Sequence, residues 1–425
     1  MDEIFYTFNP WWESRSFATG IHRSEYSITL ASFWERRQVE LITGCRRAGK
    51  TTFLKQLIRI LLDNGTPPET ILFLALDHPR LSPLRISEHL TTFRKLFSHA
   101  RERKLTLFLD EVQDSPDWEA EIKSLYDLED LKILCTGSTS FLINAKGSKL
   151  TGRQISTTIY PLSFSEYLLF TGQEKMPRAE SYRYEKCAED YLTMGGYPEY
   201  VLNRDELYLS NLIDYVIARD IAGSFRIQKT TVLKDLFRLI SSSVGSRISF
   251  NRLSKILGVS LDTIKEYLSY FEAAYLMKGI EKWSASYNER IYSQKKYYLF
   301  DTGLKTLFTG KGDTGAKAEN AVLAALLRHG LTPSYWVESG SEVDFIVEIG
   351  QGAVPIEVKY VTEIDYSSKA FNGVRLFFTR HPGIKKALII TLGDDRRFID
   401  EGRSIQCVPL WRFLLGDPRE ILRQF

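Results

Sequence analysis

A chain of 425 residues exceeds one ordinary hydrophobic core and predicts two or three domains of about 100–200 residues each. Its apolar share of 44% and charged share of 26% are those of a globular protein, and 13% aromatic residues exclude long disordered stretches. A formal net charge of +3 neither marks nor excludes a nucleic-acid binder.

The N-terminal stretch Met1–Trp12 is acidic and aromatic, without the basic start and apolar run of a signal peptide. No segment approaches the ~20 apolar residues of a membrane helix, so the expectation is a cytoplasmic protein with no membrane partner. Cys45, Cys135, Cys187 and Cys407 lack the paired spacing of a zinc ligand set, and Cys45 and Cys135 read as reduced packing residues. The pair Trp11-Trp12 reads either as part of a strap packed on the core, which is favoured, or as a platform for adenine.

Strand-sized apolar runs follow at Val39–Thr43, Ile71–Leu76, Leu105–Leu109, Lys132–Thr136 and Gln154–Ile159. Between the first two, Thr51–Leu62 places Phe53, Leu54, Leu57, Ile58, Ile60 and Leu61 on helical spacing. The alternation predicts a doubly wound α/β domain with a parallel sheet. From Ser163 to about Lys234 helical patterns take over, broken by Gly195-Gly196-Tyr197-Pro198, and read as a helical lid. Ile248–Gly279 reads helix, turn, helix: Leu253, Ile256 and Leu257 form one apolar face, Gly258-Val259-Ser260 the turn, and Ile264, Tyr267, Leu268 and Phe271 the next face. Strands at Lys278–Trp283 and Ile291–Phe300 would complete a winged helix. A helix at Ala316–His329, then strands at Tyr335–Val337, Glu342–Glu348, Val354–Lys359 and Ala387–Thr391, predict a second α/β domain. The expected division is an N-terminal strap (1–35), the sheet core (36–162), the lid (163–234), the winged helix (235–300) and the C-terminal α/β domain (301–425).

Gly44-Cys45-Arg46-Arg47-Ala48-Gly49-Lys50-Thr51, with Thr52 next, fits G-x-x-x-x-G-K-[ST] and lies between a strand and a helix. There the glycines let main-chain N–H groups curl round the phosphates of ATP at the positive end of a helix. Lys50 would neutralise the β- and γ-phosphates and Thr51 would ligate Mg2+. Leu105–Leu109 delivers Asp110 and Glu111 at its carboxyl end, one placed for Mg2+ and the other for the attacking water. The next strand ends in Thr136-Gly137-Ser138, and Thr136 or Ser138 reads either as a γ-phosphate sensor or as a plain turn hydroxyl. Arg153 reads either as a finger acting in a neighbour's ATP site or as a solvated loop charge.

These stretches, together with Asn9-Pro10-Trp11-Trp12, Leu109-Asp110-Glu111-Val112-Gln113, Leu150-Thr151-Gly152-Arg153, Pro161-Leu162-Ser163-Phe164, Gly195-Gly196-Tyr197-Pro198, Arg219-Asp220 and Tyr297–Leu304, resemble an AAA+-type ATPase family of bacteria and archaea. The resemblance covers nearly the whole chain. It implies an ATPase core, a winged helix and a C-terminal domain similar to restriction-endonuclease folds of the PD-(D/E)XK type.

Asp344, Glu357 and Lys359 form D-x12-E-x-K, with Glu319 on the preceding helix. Positions i and i+2 of a strand face the same way, so Glu357 and Lys359 would project together. A carboxylate in the apolar strand Val354–Val358 needs a partner. A divalent ion, Mg2+ or Mn2+, held by Glu319, Asp344 and Glu357 with Lys359 activating water, would provide it and cut a phosphodiester. The alternative is an Asp344–Lys359 ion pair kept as a relic of lost activity. On the helix pair, Ser260, Asp262, Thr263, Lys265, Arg252 and Lys255 are expected at the surface facing DNA or a protein partner, and Lys295-Lys296 reads as a phosphate contact or a solvated strand edge. The leading expectation is an oligomeric ATPase that handles DNA, with ATP state controlling the nuclease-like domain. The second is a nucleotide switch for a protein partner, with that domain inactive.

Overall fold

Every residue of the strand β1, Val39–Gly44, is buried, as expected of a strand covered on both faces. The computed structural model describes residues 2–29, 31–137, 150–173, 180, 182–350, 352–365 and 367–424. It divides into two compact units, Met1–Ile159 and Tyr160–Phe425.

In the first unit, helix α1 (Asp2–Phe8) precedes β1, α2 (Lys50–Asp63), β2 (Ile71–Ala75), α3 (Ile86–Phe97), β3 (Leu105–Asp110), α4 (Trp118–Leu128), β4 (Leu131–Thr136) and β5 (Gln154–Ile159). The five strands form one parallel sheet in the order β2-β3-β4-β1-β5. Thus β4 lies between the strand that leads into the glycine-rich loop and the strand that ends in the acidic pair. Leu72, Leu74, Leu107, Leu109, Ile133 and Phe93 belong to the continuous core that fixes these strand ends.

The order leaves β2 at an edge, and the N-terminal segment covers it. The Asn9 carboxamide donates to Phe73 O at 3.0 Å and accepts from Phe73 N at 2.7 Å, the two bonds a neighbouring strand would make. Both indole N–H groups of the tryptophan pair donate to Ile71 O, Trp11 at 3.3 Å and Trp12 at 2.9 Å. Trp12 also stacks on Phe93 with ring centroids 5.2 Å apart. The tryptophans are strap residues.

The second unit opens with α5 (Phe164–Phe170), started by a reciprocal cap: Ser163 Oγ accepts from Glu166 N, and the Glu166 carboxylate accepts from Ser163 N. Helix α6 (Tyr182–Met194) and further helices follow, then α7 (Thr230–Ser242), α8 (Phe250–Leu257) and α9 (Leu261–Ala273). Strands β6 (Met277–Ile280) and β7 (Lys296–Leu299) pair antiparallel. The expected strand over Ile291–Phe300 is therefore shorter. Tyr287–Tyr292 is a helical turn whose cap, Ser286, accepts from Glu289 N, and that local bond prevails over the β pattern. Ile256, expected on an apolar face, is 55% exposed, because α8 buries only Leu253 fully.

Helices α10 (Thr302–Thr309) and α11 (Thr314–Arg328) lead into β8 (Ser334–Glu338), β9 (Ser341–Ile349), β10 (Gly352–Val358), α12 (Asn372–Arg380), β11 (Lys386–Thr391), β12 (Arg397–Asp400) and β13 (Arg403–Pro409). They form a mixed sheet ordered β12-β13-β11-β10-β9-β8, two strands larger than the pattern suggested. The glycine pair and the Tyr297–Leu304 stretch form a clasp. Asp301 accepts from Gly196 N at 2.6 Å and from Gly303 N at 2.9 Å. A side chain on Gly195 would lie 2.2 Å from the Asp301 carboxylate, so only glycine fits there.

Candidate functional site

The glycine-rich loop leaves β1 at Gly44 (φ 134°), where a Cβ would sit 2.0 Å from Ile159 O. Arg47 (φ 59°) and Gly49 (φ 97°) continue the left-handed turns that point successive N–H groups inward, and Gly49 caps α2. Cys45 and Ala48 are buried in the loop, Arg46 is partly exposed, and Arg47 and Thr52 are exposed. Lys50 is 5% exposed, and its ammonium donates to Gly44 O at 3.3 Å and Cys45 O at 3.2 Å, at the mouth of the loop.

The acidic pair is wired to this loop. Thr51 Oγ1 donates to Asp110 Oδ2 at 2.7 Å, and Thr136 Oγ1 donates to Asp110 Oδ1 at 2.5 Å. Thr136 Oγ1 also accepts from Glu111 N at 2.9 Å. Glu111 takes a left-handed conformation (φ 51°), which turns it away from the strand direction, and Gln113 Nε2 donates to its Oε2 at 2.5 Å. Burial, and the negative charge of Glu111 beside it, push the Asp110 carboxyl up to about 6. A buried carboxylate beside another, linked to a loop threonine, suits a divalent ion brought in with nucleotide. Thr136, read as a phosphate sensor or a plain turn hydroxyl, thus ties the tip of β4 to both residues of the acidic pair. Ser138 lies outside the described residues. Arg153 makes a forked pair with Asp127, at 3.0 and 3.3 Å.

Two side chains that carried no sequence signal brace the site from outside, one bonding the loop and the other the segment that leads to Arg23. Arg23, 3% exposed, donates to Ala48 O at 2.6 Å, and Gln56 on α2 donates to Thr19 O and Ile21 O, both at 2.8 Å. Arg23 stands alone in a polar stretch, and only tertiary packing brings it to the loop.

In the second unit the D-x12-E-x-K residues converge with Glu319 of α11. Asp344 Oδ2 accepts from Val358 N at 2.9 Å, and Glu357 Oε2 accepts from Asp344 N at 3.3 Å. Lys359 lies just past β10, but its N–H still bonds to Ile390 O, and its ammonium pairs with Glu357 as the strand alternation predicts. Burial and the Asp344 charge hold both Glu319 and Glu357 well above the usual carboxylate range. Two features depart from expectation. Lys296, read as a wing or edge residue, is 1% exposed, and its ammonium pairs with Glu342, with Glu319 at 3.5 Å and with Asp344 at 3.9 Å. Glu342 had not been foreseen in the cluster. Among the described residues, no three His, Cys, Asp or Glu side chains are arranged to hold a metal ion. Glu319 and Asp344, expected as metal ligands, stand against the Lys296 ammonium, and Glu357 stands against that of Lys359.

Residues 36–168 match a family profile described as "AAA domain". Residues 185–314 and 314–413 match two profiles described as domains of unknown function, DUF8612 and DUF4143. An uncharacterized protein of Haemophilus influenzae is 26% identical, covering 80% of this chain and 87% of that protein. One of Methanocaldococcus jannaschii is 27% identical, covering 89% and 88%. A solved structure of the Aeropyrum pernix Orc1 protein in complex with DNA is 14% identical, covers 71% of this chain and 90% of that chain, and has a TM-score of 0.31. The matched stretch 36–168 is an AAA-type P-loop domain of the nucleotide-binding ATPase class. Among the described residues, no helix is long and apolar enough to cross a membrane.

Proposed function

We propose that the protein is a cytoplasmic Mg-ATP-hydrolysing ATPase whose nucleotide state acts on a DNA-engaging second unit. The observation that carries the ATPase reading is the 2.7 Å bond between Thr51 Oγ1 and Asp110 Oδ2, which joins the phosphate loop to the acidic strand end. Bound Mg2+ supplies charge neutralisation of the phosphates. The chain's own groups do the rest. Loop N–H groups and Lys50 hold the triphosphate, Thr51 and Asp110 would hold the metal, and Thr136 fixes Asp110. Glu111, steadied by Gln113, orients the attacking water and takes its proton.

Arg252, Lys255 and Lys265 are exposed on α8 and α9, and they support a phosphate-facing surface on this helix pair. Arg153 is proposed to leave Asp127 and serve a neighbouring protomer's site in a homo-oligomer. Lys50→Ala should lose ATP affinity. Glu111→Gln should keep it while hydrolysis falls about 100-fold or more. Equal hydrolysis by wild type and both variants would reject the assignment. DNA-stimulated, salt-sensitive hydrolysis supports the DNA reading, and indifference to DNA removes it.

A second reading is favoured by the ion pairs of Lys296 and Lys359. In it the protein is a nucleotide switch for a protein partner, and the nuclease-like domain does not cut. Plasmid nicking in Mg2+ or Mn2+, present in wild type and lost in Asp344→Ala and Glu357→Ala, would reject it in favour of ATP-controlled cleavage.

A further inference from the structure

The carboxylate cluster of the second unit draws on three elements. Glu319 comes from α11, Glu342 and Asp344 from β9, and Glu357 from β10. Four carboxylates in so small a volume repel one another, and protons or cations relieve that repulsion. Lys359 meets Glu357 at one end. At the other end Glu342 meets Arg247 at 3.7 Å, and the buried cation comes from outside the mixed sheet, from β7 of the antiparallel hairpin. The Lys296 stem is fully buried, its ammonium lies 5.6 Å from the Tyr335 ring centroid, and it is surrounded by Glu319, Glu342 and Asp344. Tyr298, two residues on and therefore on the same face of β7, donates its hydroxyl to the Glu319 carboxylate. Hence two side chains of one short strand are committed to these acids. Three carboxylates around the buried ammonium compensate its lost hydration, so its position is specified by the cluster.

We propose that Lys296 is the resident cation of this cluster, a tethered ammonium that stands where a divalent ion would otherwise bind. The C-terminal domain is then a metal-free module, and its acids lock the β6–β7 hairpin to the mixed sheet. The chemistry that recognises an ion is retained, but its ligand is part of the chain. This inference deepens the second of the two readings above and is independent of ATP hydrolysis.

The test is Mn2+ titration of the full-length, nucleotide-free protein, with free Mn2+ read by electron paramagnetic resonance. Wild type is compared with Asp344→Asn, Lys296→Met and the double variant. Thr51 and Asp110 are untouched in all four, so any Mn2+ bound at the phosphate loop is a constant background. Wild type and Asp344→Asn should bind the same number of ions. Lys296→Met should bind one more per chain, and the double variant should lose it again. Loss of one ion on going from wild type to Asp344→Asn would overturn the proposal, because it would place an ion beside an intact Lys296. A folded Lys296→Met that gains no ion would overturn it equally. If Lys296→Met does not fold, Lys296→Arg retains the charge and should fold without gaining an ion. In that case a gained ion refutes the proposal, and the wild type against Asp344→Asn comparison still decides it. Failure of the ATPase reading would show in Lys50→Ala hydrolysis and leave these stoichiometries unchanged.

Discussion

Replacing Asp110 with Asn should stabilise the nucleotide-free protein while abolishing hydrolysis. The Asp110 carboxyl rises from 3.8 to about 6 because burial and Glu111 disfavour its ionised form. A carboxyl raised in the fold holds its proton more tightly there than in the unfolded chain. Stability therefore falls as pH climbs from about 4 to about 6 and stays low above that range. The full rise corresponds to about 3 kcal/mol. Asn carries no charge and escapes this cost. However, both carboxylate oxygens accept from threonine hydroxyls, and Asn offers only one acceptor, so about 1 kcal/mol is returned. The net gain at pH 7.5 is about 2 kcal/mol, or about 4–8 °C in Tm for a unit of this size. Urea unfolding of wild type and Asp110→Asn from pH 5 to 8, without nucleotide, measures it. The gap should open as pH rises and close toward pH 5. With Mg-ATP the order should reverse, because only wild type gains ligand stabilisation. A variant no more stable than wild type at pH 7.5, or a gap independent of pH, would refute the reasoning.

Two further outcomes test other parts of the site. Arg153→Ala should leave ATP binding intact and lower hydrolysis at protein concentrations where the chain self-associates; unchanged turnover there removes the trans-acting role. Gly44→Ala should cost about 3 kcal/mol or more, since its Cβ would meet Ile159 O at 2.0 Å at a positive φ, and denaturant unfolding of a well-expressed variant checks this.

The phosphate loop and the acidic pair were legible because their chemistry is local: an eight-residue spacing dictates a backbone shape, and a strand end delivers two neighbouring carboxylates. Glu357 and Lys359 were legible for the same reason, through strand alternation. Arg23, Gln56 and Glu342 were not, since each reaches its partners only through tertiary packing. Lys296 was misread because a lysine in a short strand after a turn looks solvated unless the acids opposite it, 23 to 48 residues away, are known to converge. The segment before it is a helical turn instead because the Ser286 cap prevails over the strand-like reading of Ile291-Tyr292. Strands β12 and β13 escaped because polar residues interrupt their alternation, most plainly in Arg397–Asp400.

The AAA-domain match begins at residue 36, but the parallel sheet it describes does not end in water at β2. Asn9 stands in for a missing sixth ribbon, and two indoles shield the rest of that rim. A fragment cut at the match boundary would thus carry a bare row of main-chain donors and acceptors. Such a fragment is expected to associate side by side into insoluble material, so the smallest self-sufficient nucleotide-binding piece of this chain starts at its first helix.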